Sequence, residues 1–345
     1  MGNADNSIVP SNIENNTDNT GGAEASVSED PVILELKHVC KTFKGGKKST
    51  ETKAVQDVSL VVRQGKSIGV VGESGCGKST IARMITQFTP TSSGQILLDG
   101  QDITNIGPSG AKEIYRKVQM VFQDPYSVFS PRMQVGTFLE EGLLHFGIMS
   151  HAEAAKEAVA LMEQVELSPD LLTRFPHQLS GGQQQRVAIA RAISIKPKLL
   201  ILDEATSALD VSVQKQVLKL LVKLQKRNNL SYLFIGHDLA VIRSITDQVI
   251  VMYAGRLMEE IDSEELDYHA CHPYTQRLLG SVFSIHDRDV KEIELEYLGM
   301  EDDRESKGCV FCNRCPYAMD ICSKEAPVMR TLHDNHRIAC HLKDF

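Results

Sequence analysis

The sequence predicts an α/β fold in which a central sheet carries a phosphate-binding loop. Short apolar runs of the kind that buried parallel strands show occur at residues 67–71, 118–122, 199–202 and 232–235. A glycine-rich motif directly follows the first run and precedes an apolar helix at about residues 80–88. Between residues 134 and 172 the apolar positions recur every three or four residues, which is typical of helices.

The remaining segments follow in order. Residues 1–30 are rich in Asn, Ser, Thr and Gly and contain acidic residues but no Lys or Arg, so we expect a disordered acidic tail. Runs at residues 32–36 and 58–62 predict strands, and the polar residues 44–53 predict a loop. Two runs that straddle Gly255 predict a closing hairpin. In the helical stretch, the predicted buried stripe contains Ala152, Ala155, Val159, Met162 and Val165.

The composition limits the class of protein. The chain has 345 residues with 42% apolar residues, enough for one large domain or two modest ones. Six acidic residues of the tail account for most of the net charge of −8, so the remainder gives no support to a nucleic-acid binder. We find no apolar run of about 18 residues and no signal-peptide pattern. We therefore expect a cytoplasmic chain whose membrane contact comes through a partner.

The phosphate-binding motif fits G-x-x-x-x-G-K-[ST] in full and lies between a strand and a helix. Its backbone N–H groups predict a cradle for a nucleoside triphosphate such as ATP. Lys78 is expected to reach the β- and γ-phosphates, and Ser79 to bind Mg²⁺. A glycine-rich turn without a ligand is the alternative. The candidate ATP-binding residues are Gly72, Glu73, Ser74, Gly75, Cys76, Gly77, Lys78, Ser79 and Thr80.

Two acidic residues end the apolar run at residues 199–202. Asp203 is suited to hold Mg²⁺, and Glu204 is suited to polarise the attacking water as a general base. Such a pair is common by chance after an apolar strand. Here the pair is a stronger indication of a hydrolysis site, because a Ser-Ala-Leu-Asp sequence that ends at Asp210 follows closely.

A second motif narrows the class of ATP site. Residues 179–183 read Leu-Ser-Gly-Gly-Gln and lie between the phosphate loop and the acidic pair. With these motifs, residues 32–261 resemble the nucleotide-binding domain of ABC ATPases. The resemblance implies a P-loop NTPase (RecA-like) core with an antiparallel β subdomain and an α-helical subdomain at about residues 125–178. The implied domains are the acidic tail at 1–30, the nucleotide-binding domain at 31–262 and a small Cys-rich C-terminal extension at 263–345.

The resemblance also implies roles for single residues. Gln123, after residues 118–122, matches the glutamine that reaches Mg²⁺ and the attacking water. His237, after residues 232–235, matches the histidine that contacts the γ-phosphate, so Glu204, His237 and Gln123 form the implied catalytic set. Phe43 lies where these ATPases place an aromatic ring on adenine, although a core phenylalanine is the alternative.

The second motif opens a helix, and a helix N-terminus attracts anions. In ABC ATPases this motif covers the γ-phosphate bound to the opposite protomer, which implies that hydrolysis requires a dimer. The residues implied to act across the dimer are Leu179, Ser180, Gly181, Gly182, Gln183 and Asp210.

Five of the eight cysteines lie in the last 37 residues. In a reducing compartment such a cluster favours a metal-binding or catalytic role over disulfides. Cys309, Cys315, Cys322 and Cys340 have the spacing C-x5-C-x6-C-x17-C, and Cys312 is an extra thiol. Four thiolates can bind zinc or a [4Fe–4S] cluster, and reduced thiols without a metal are a third alternative.

The extension begins with His-Pro-Tyr-Thr-Gln-Arg-Leu-Leu at residues 272–279. This segment resembles the tail of the ATPases of oligopeptide, dipeptide and nickel importers, and the resemblance implies an iron–sulfur cluster. We expect a structural role for the cluster rather than electron transfer, because nothing nearby suggests a redox partner. We expect the extension to be separate from the core and distant from the phosphate loop.

The resemblance implies the ATPase subunit of an oligopeptide or dipeptide importer, peripheral at the cytoplasmic face of the cell membrane. The implied partners are two permease subunits, a second homologous ATPase and, indirectly, an extracytoplasmic peptide-binding protein, with no nucleic acid. An importer of nickel or another small solute is the alternative, because the ATPase does not contact the cargo. Two further alternatives are a soluble ABC ATPase that remodels DNA or ribosomes and a metal-binding regulatory protein. Soluble ABC ATPases of that kind usually have two such domains in one chain or a long coiled coil, and this sequence shows neither. The complete set of ATPase motifs argues against a metal-binding regulatory protein.

Overall fold

The computed structural model describes residues 30–44, 51–283 and 303–343. The predicted tail, apart from Asp30, lies outside the described residues. The strands are β1 Val32–Lys44, β2 Glu51–Arg63, β3 Ser67–Val71, β4 Ser93–Leu98, β5 Gln101–Asp102, β6 Val118–Val121, β7 Leu199–Asp203, β8 Ser231–Gly236, β9 Gln248–Tyr253, β10 Arg256–Asp262, β11 Arg330–His333 and β12 His336–Ile338. The helices are α1 Lys78–Ile85, α2 Pro108–Lys117, α3 Val135–His145, α4 His151–Gln164, α5 Gly181–Ser194, α6 Val211–Asn228, α7 Leu239–Arg243, α8 Leu266–His269, α9 Pro273–Phe283 and α10 Asp320–Lys324.

The strands form two sheets. The smaller sheet has the order β2-β1-β4-β5 and is antiparallel. The larger sheet has the order β11-β12-β10-β9-β3-β8-β7-β6. Its part from β9 to β6 is parallel, whereas β10, β12 and β11 are antiparallel. The predicted α/β fold is therefore confirmed, and so is the hairpin of β9 and β10.

The apolar runs form the middle of the larger sheet because both of its faces are covered. Along β7 the side chains of Leu200 and Leu202 pack into one hydrophobic cluster, and those of Leu199 and Ile201 pack into the other. Strand β8 alternates in the same way. A strand that is buried on both faces has no polar side to show, which explains its uninterrupted apolar sequence.

The helical stretch contains α3 and α4, but the predicted buried stripe of α4 was partly wrong. Ala152, Ala155 and Val159 are exposed, whereas Met162 and Val165 are buried as predicted. The buried face instead includes Ala154 and Ala158 together with Leu161. Alanine occurs on both faces of this helix, so the apolar pattern alone did not fix the buried face.

The β1–β2 hairpin corrects the predicted loop at residues 44–53. Lys44 and residues 51–53 belong to the strands, with Lys44 paired to Glu51 and Phe43 paired to Thr52. Residues 45–50 lie outside the described residues. The hairpin brings Phe43 close to the start of β2.

The C-terminal extension is part of the core, contrary to the prediction of a separate and distant segment. Strand β12 pairs with β10, and a fully buried contact of 2.8 Å joins Nε2 of His336 to Glu259. Arg314 of the extension contacts Glu73 of the phosphate loop. These contacts join residues far apart in sequence, which local patterns do not reveal. None of the helices that the structure describes has the length and apolar character of a membrane-crossing segment.

Candidate nucleotide-binding site

The phosphate loop connects β3 to α1 in a conformation that requires glycine. Gly72 and Gly77 have φ angles of +154° and +114°. A Cβ atom would lie 2.0 Å from the Met252 carbonyl oxygen at Gly72 and 2.3 Å from the Ala54 carbonyl oxygen at Gly77. Both the left-handed backbone and the close approach of neighbouring strands therefore exclude side chains at these positions.

Lys78 is buried at the start of α1. Its ammonium group donates to the carbonyl oxygens of Gly72 at 2.7 Å and Glu73 at 3.0 Å. Because these partners are neutral carbonyl groups, they do not compensate the positive charge of Lys78. The charge is therefore well placed for an anion in the loop. The neighbouring Cys76 is buried, and burial raises the pKa of its thiol, which keeps it neutral.

Ser79 and Asp203 meet at the carboxyl end of the parallel strands. The Ser79 hydroxyl donates to Oδ1 of Asp203 at 3.0 Å. Burial raises the pKa of Asp203, and the hydrogen bond from Ser79 partly offsets this effect. A hydroxyl and a partly buried carboxylate are oxygen ligands of the kind that Mg²⁺ prefers.

Glu204, Gln123 and His237 converge beside this pair. The side chain of Glu204 lies 3.5 Å from Nδ1 of His237, and its backbone carbonyl accepts a hydrogen bond of 2.9 Å from the Ser207 hydroxyl. That hydroxyl accepts in turn from the Gln123 amide at 3.4 Å. Glu204 has a φ angle of +49°, a left-handed conformation that is uncommon outside glycine and is often found at functional sites. Ser207 was not singled out from the sequence, because only the fold reveals its position between Gln123 and Glu204.

Phe43 lies near the end of β1, where the strand pairs with the start of β2. Its side chain is 44% exposed, which rules out the alternative of a core phenylalanine. The ammonium group of Lys41 lies 4.9 Å from the centre of its ring. Two residues beyond its partner Thr52, the Ala54 carbonyl borders Gly77 of the phosphate loop. The ring is thus exposed, on the hairpin whose second strand approaches the phosphate loop at Ala54.

The Leu-Ser-Gly-Gly-Gln segment caps α5. The Ser180 hydroxyl accepts from the Gln183 N–H at 3.3 Å, and Gln183 in return accepts from the Ser180 N–H at 2.9 Å. Gly182 allows close packing, since a Cβ atom there would lie 2.4 Å from Val213 of α6. Leu179 is buried, whereas Ser180 and Gly181 are exposed. Within residues 51–283, no described hydrogen bond joins this segment to the phosphate loop.

Asp210 starts α6 next to that segment. Its carboxylate accepts from the Val213 N–H at 3.0 Å and from the Ser212 hydroxyl at 2.9 Å. These hydrogen bonds, above all the one from Val213, lower the pKa of Asp210. It is therefore an ionised, exposed helix cap.

The four spaced cysteines come together in the extension. Burial raises the pKa of Cys309 to about 12, with smaller contributions from nearby Cys322, Cys340 and Cys315. The Cys309 N–H donates to the Cys322 carbonyl at 2.7 Å. Within residues 303–343, no three of the cysteine sulfurs lie within 4.8 Å of one another.

Comparisons with known proteins agree with this geometry. The ABC transporter family model matches residues 55–207, and the model of the oligopeptide/dipeptide transporter C-terminal region matches residues 258–322. The chain is 43% identical to the oligopeptide transport ATP-binding protein AppF of Bacillus subtilis, over 90% of this chain and 97% of that protein. It is 42% identical to the di/tripeptide transport ATP-binding protein DppF of Pseudomonas aeruginosa, over 87% and 92% of the two chains.

Among solved structures, the dimeric ATP-binding cassette MJ0796 in a post-hydrolysis state bound to ADP and Pi is similar, with a TM-score of 0.61. It is 30% identical, and the match covers 67% of this chain and 99% of that one. The likeness to AppF and DppF extends over nearly their whole length and includes the C-terminal region. This chain therefore belongs to the ATP-binding proteins of ABC transporters, in the group that has the oligopeptide/dipeptide transporter C-terminal region.

Proposed function

We propose that this chain is the ATPase subunit that energises the uptake of oligopeptides or dipeptides through an ABC importer. One observation carries the proposal. The carboxyl edge of one sheet holds the phosphate loop, the Ser79–Asp203 pair, and Glu204 with His237. The same chain also has the peptide-transporter C-terminal region. The names of the relatives favour peptides over nickel or another small solute, and over a soluble ATPase without a transport role.

In the proposed mechanism, the phosphate loop from Gly72 to Thr80 binds the triphosphate of ATP and Phe43 stacks on its adenine. The ammonium of Lys78 turns from the loop carbonyls to the β- and γ-phosphates. Ser79, Asp203 and the Gln123 amide would hold Mg²⁺, which would supply positive charge to neutralise the phosphates. The roles of these residues follow from charge and position, since phosphoryl transfer needs little other chemistry from the protein.

Glu204 is the proposed general base. Its carboxylate would accept a proton from the attacking water, and His237 at 3.5 Å would orient it and contact the γ-phosphate. Gln123 would sense the nucleotide through Ser207, which joins its amide to the Glu204 backbone. This connection offers a route from the hydrolysis site to the helical subdomain that follows Gln123.

The segment from Leu179 to Gln183, together with Asp210, is proposed to act on ATP bound to the opposite protomer. Its helix N-terminus is exposed at Ser180 and Gly181, where it could accept an anion from another chain. The dimeric state of the similar cassette MJ0796 supports this arrangement. ATP would then hold two ATPases together, and hydrolysis would release them.

The proposed partners are two permease subunits and a second homologous ATPase, with an extracytoplasmic peptide-binding protein that delivers the cargo. The chain would lie at the cytoplasmic face of the membrane. An open cleft within the helical subdomain offers a docking surface for a permease. It is lined by Ser130, Arg132, Met133, Gln134, Thr137 and Phe175.

The experiment is purification of the intact membrane complex through a tag on this chain. The proposal predicts that two permeases and a second ATPase co-purify, and that added peptides with the binding protein raise ATP hydrolysis. Nickel added in place of peptide serves as the control. Stimulation by nickel alone, or purification without any membrane protein, would contradict the peptide-importer function.

We further propose that Cys309, Cys315, Cys322 and Cys340 bind one [4Fe–4S] cluster that pins the extension, with zinc as the alternative. Four thiols on three adjoining segments suit such a cluster, because it takes four cysteine thiolates. Burial raises the pKa of the Cys309, Cys315 and Cys340 thiols, so cluster assembly must displace their protons. A structural role fits their position, since the cluster would join α10 and the end of β12 to the turn at Cys312–Arg314.

Cys322→Ser should abolish this cluster. Protein purified without oxygen should be brown and hold about four iron and four sulfide per chain, and the variant should lose both. Cys312→Ser is the matched control, and its iron content should stay unchanged, because the other four thiols complete the coordination. A colourless wild-type protein with one equivalent of zinc would contradict the iron–sulfur assignment and leave the importer function standing.

A further inference from the structure

The segment that carries the clustered cysteines reaches the phosphate loop through Arg314. This residue ends a short 3₁₀ turn, Cys312–Arg314, directly before Cys315. Its two terminal nitrogens donate to the two carboxylate oxygens of Glu73, at 3.0 and 2.9 Å. One of them also donates to the Tyr253 hydroxyl at 3.0 Å. A guanidinium that pairs with both oxygens fixes the direction of the carboxylate as well as neutralising it.

Two more residues of the C-terminal region hold the same loop. Tyr274 is fully buried, and its hydroxyl accepts from the Glu73 N–H at 3.1 Å. Arg304 donates to the Gly75 carbonyl, and its own carbonyl accepts from the Gln56 amide at 3.2 Å. The backbone and the side chain of Glu73 are therefore both fixed from outside the phosphate-binding motif.

The charge of Glu73 explains why such a contact matters. Its carboxylate belongs to a loop whose backbone is shaped for an anion, so an uncompensated negative charge there would repel a triphosphate. The side chains of Glu73 and Arg314 are 43% and 27% exposed, and an ordinary ion pair at such a place contributes little. Here the paired geometry is bidentate, and Arg314 also lies 5.5 Å from the ring centre of Tyr253 and 6.0 Å from that of Phe311.

We propose that Arg314 is a positioning residue for the phosphate loop, supplied by the C-terminal extension, and that it neutralises and orients Glu73 so that the loop accepts ATP. The inference rests on the proposed function, because it requires ATP in this loop. Arg314 acts through Glu73 and has no described contact with Glu204 or His237. Its loss should therefore affect ATP binding more than the hydrolysis step.

The test uses the intact transporter with Arg314→Met in this chain, and measures KM for ATP and kcat of peptide-stimulated hydrolysis. We expect KM to rise about ten-fold, a size usual for coupling between neighbouring sites, with kcat within about two-fold of wild type. Adding Glu73→Gln to Arg314→Met should recover most of the lost affinity, because the carboxylate that needs compensation is gone. Recovery separates charge compensation from general damage to the fold.

Arg337→Met is the matched control. Arg337 also joins the extension to the core through a carboxylate, Glu260 on β10 at 3.0 Å, but that contact does not involve the phosphate loop. Its KM for ATP should stay at the wild-type value. An unchanged KM in Arg314→Met, an equal rise in Arg337→Met, or no recovery in the double variant would each overturn the inference. A wild-type complex that hydrolyses no ATP would instead overturn the proposed function.

Discussion

Replacing Glu204 by Gln should lower ATP hydrolysis by about 10²-fold or more, as expected when a positioned general base is lost. The amide keeps the size and most hydrogen bonds of the carboxylate but cannot accept the water proton. ATP binding should remain, because Lys78, Ser79 and Asp203 are unchanged. The variant should therefore accumulate as an ATP-bound closed dimer, which size-exclusion chromatography with ATP and Mg²⁺ would detect.

Turnover of the Glu204→Gln variant is measured in the assembled transporter. Glu163→Gln is a suitable control, because Glu163 is an exposed carboxylate on helix α4 of the helical subdomain. It should hydrolyse ATP at the wild-type rate. Near-normal turnover of Glu204→Gln would show that another group accepts the proton and would end the assignment of Glu204.

Ser180→Arg and Lys78→Ala should each abolish ATP hydrolysis. Each substitution disables a different half of an ATP site that two protomers form together. An arginine at Ser180 blocks the exposed start of α5, whereas the loss of Lys78 removes the charge that holds the phosphates. If the two groups serve the same ATP from different protomers, a mixed dimer keeps one intact site. Mixing the two inactive chains should then restore part of the activity, to at most one working site per mixed dimer.

The control for this mixing experiment is a chain that carries both substitutions, mixed with either single variant. Such dimers have no intact site in the proposed arrangement and should stay inactive. If the natural partner is a different ATPase, the substitutions are divided between the two subunits in the same way. A monomer that hydrolyses ATP at the full rate of the complex would contradict action across a dimer.

The nucleotide-binding elements could be predicted because their signals are local. Glycines, Lys78 and Ser79 lie within eight consecutive residues between a strand and a helix, and each apolar run predicted a strand of the parallel sheet. Ser79 and Asp203 were each predicted to bind Mg²⁺, and they meet because the phosphate loop and the end of β7 lie at the same carboxyl edge of the sheet.

Other parts of the site could not be predicted, because they depend on contacts between distant residues. Arg314 lies 241 positions after Glu73, and nothing in the local pattern near either residue indicates their pairing. Ser207 was seen only as part of a short motif, although it joins Gln123 to Glu204. The buried face of α4 was predicted only in part for a different reason, since alanines on both sides of the helix give a weak apolar pattern.

The most direct test of the central claim is ATP-driven peptide uptake by the purified complex in sealed lipid vesicles. ATP and Mg²⁺ are enclosed on the side of the ATPases, and a labelled peptide with its binding protein is added on the other side. We predict that the peptide accumulates inside with the wild-type chain and stays outside when this chain carries Glu204→Gln. Equal peptide accumulation with and without enclosed ATP, or in both forms of the chain, would contradict the claim that this site drives the import of peptides.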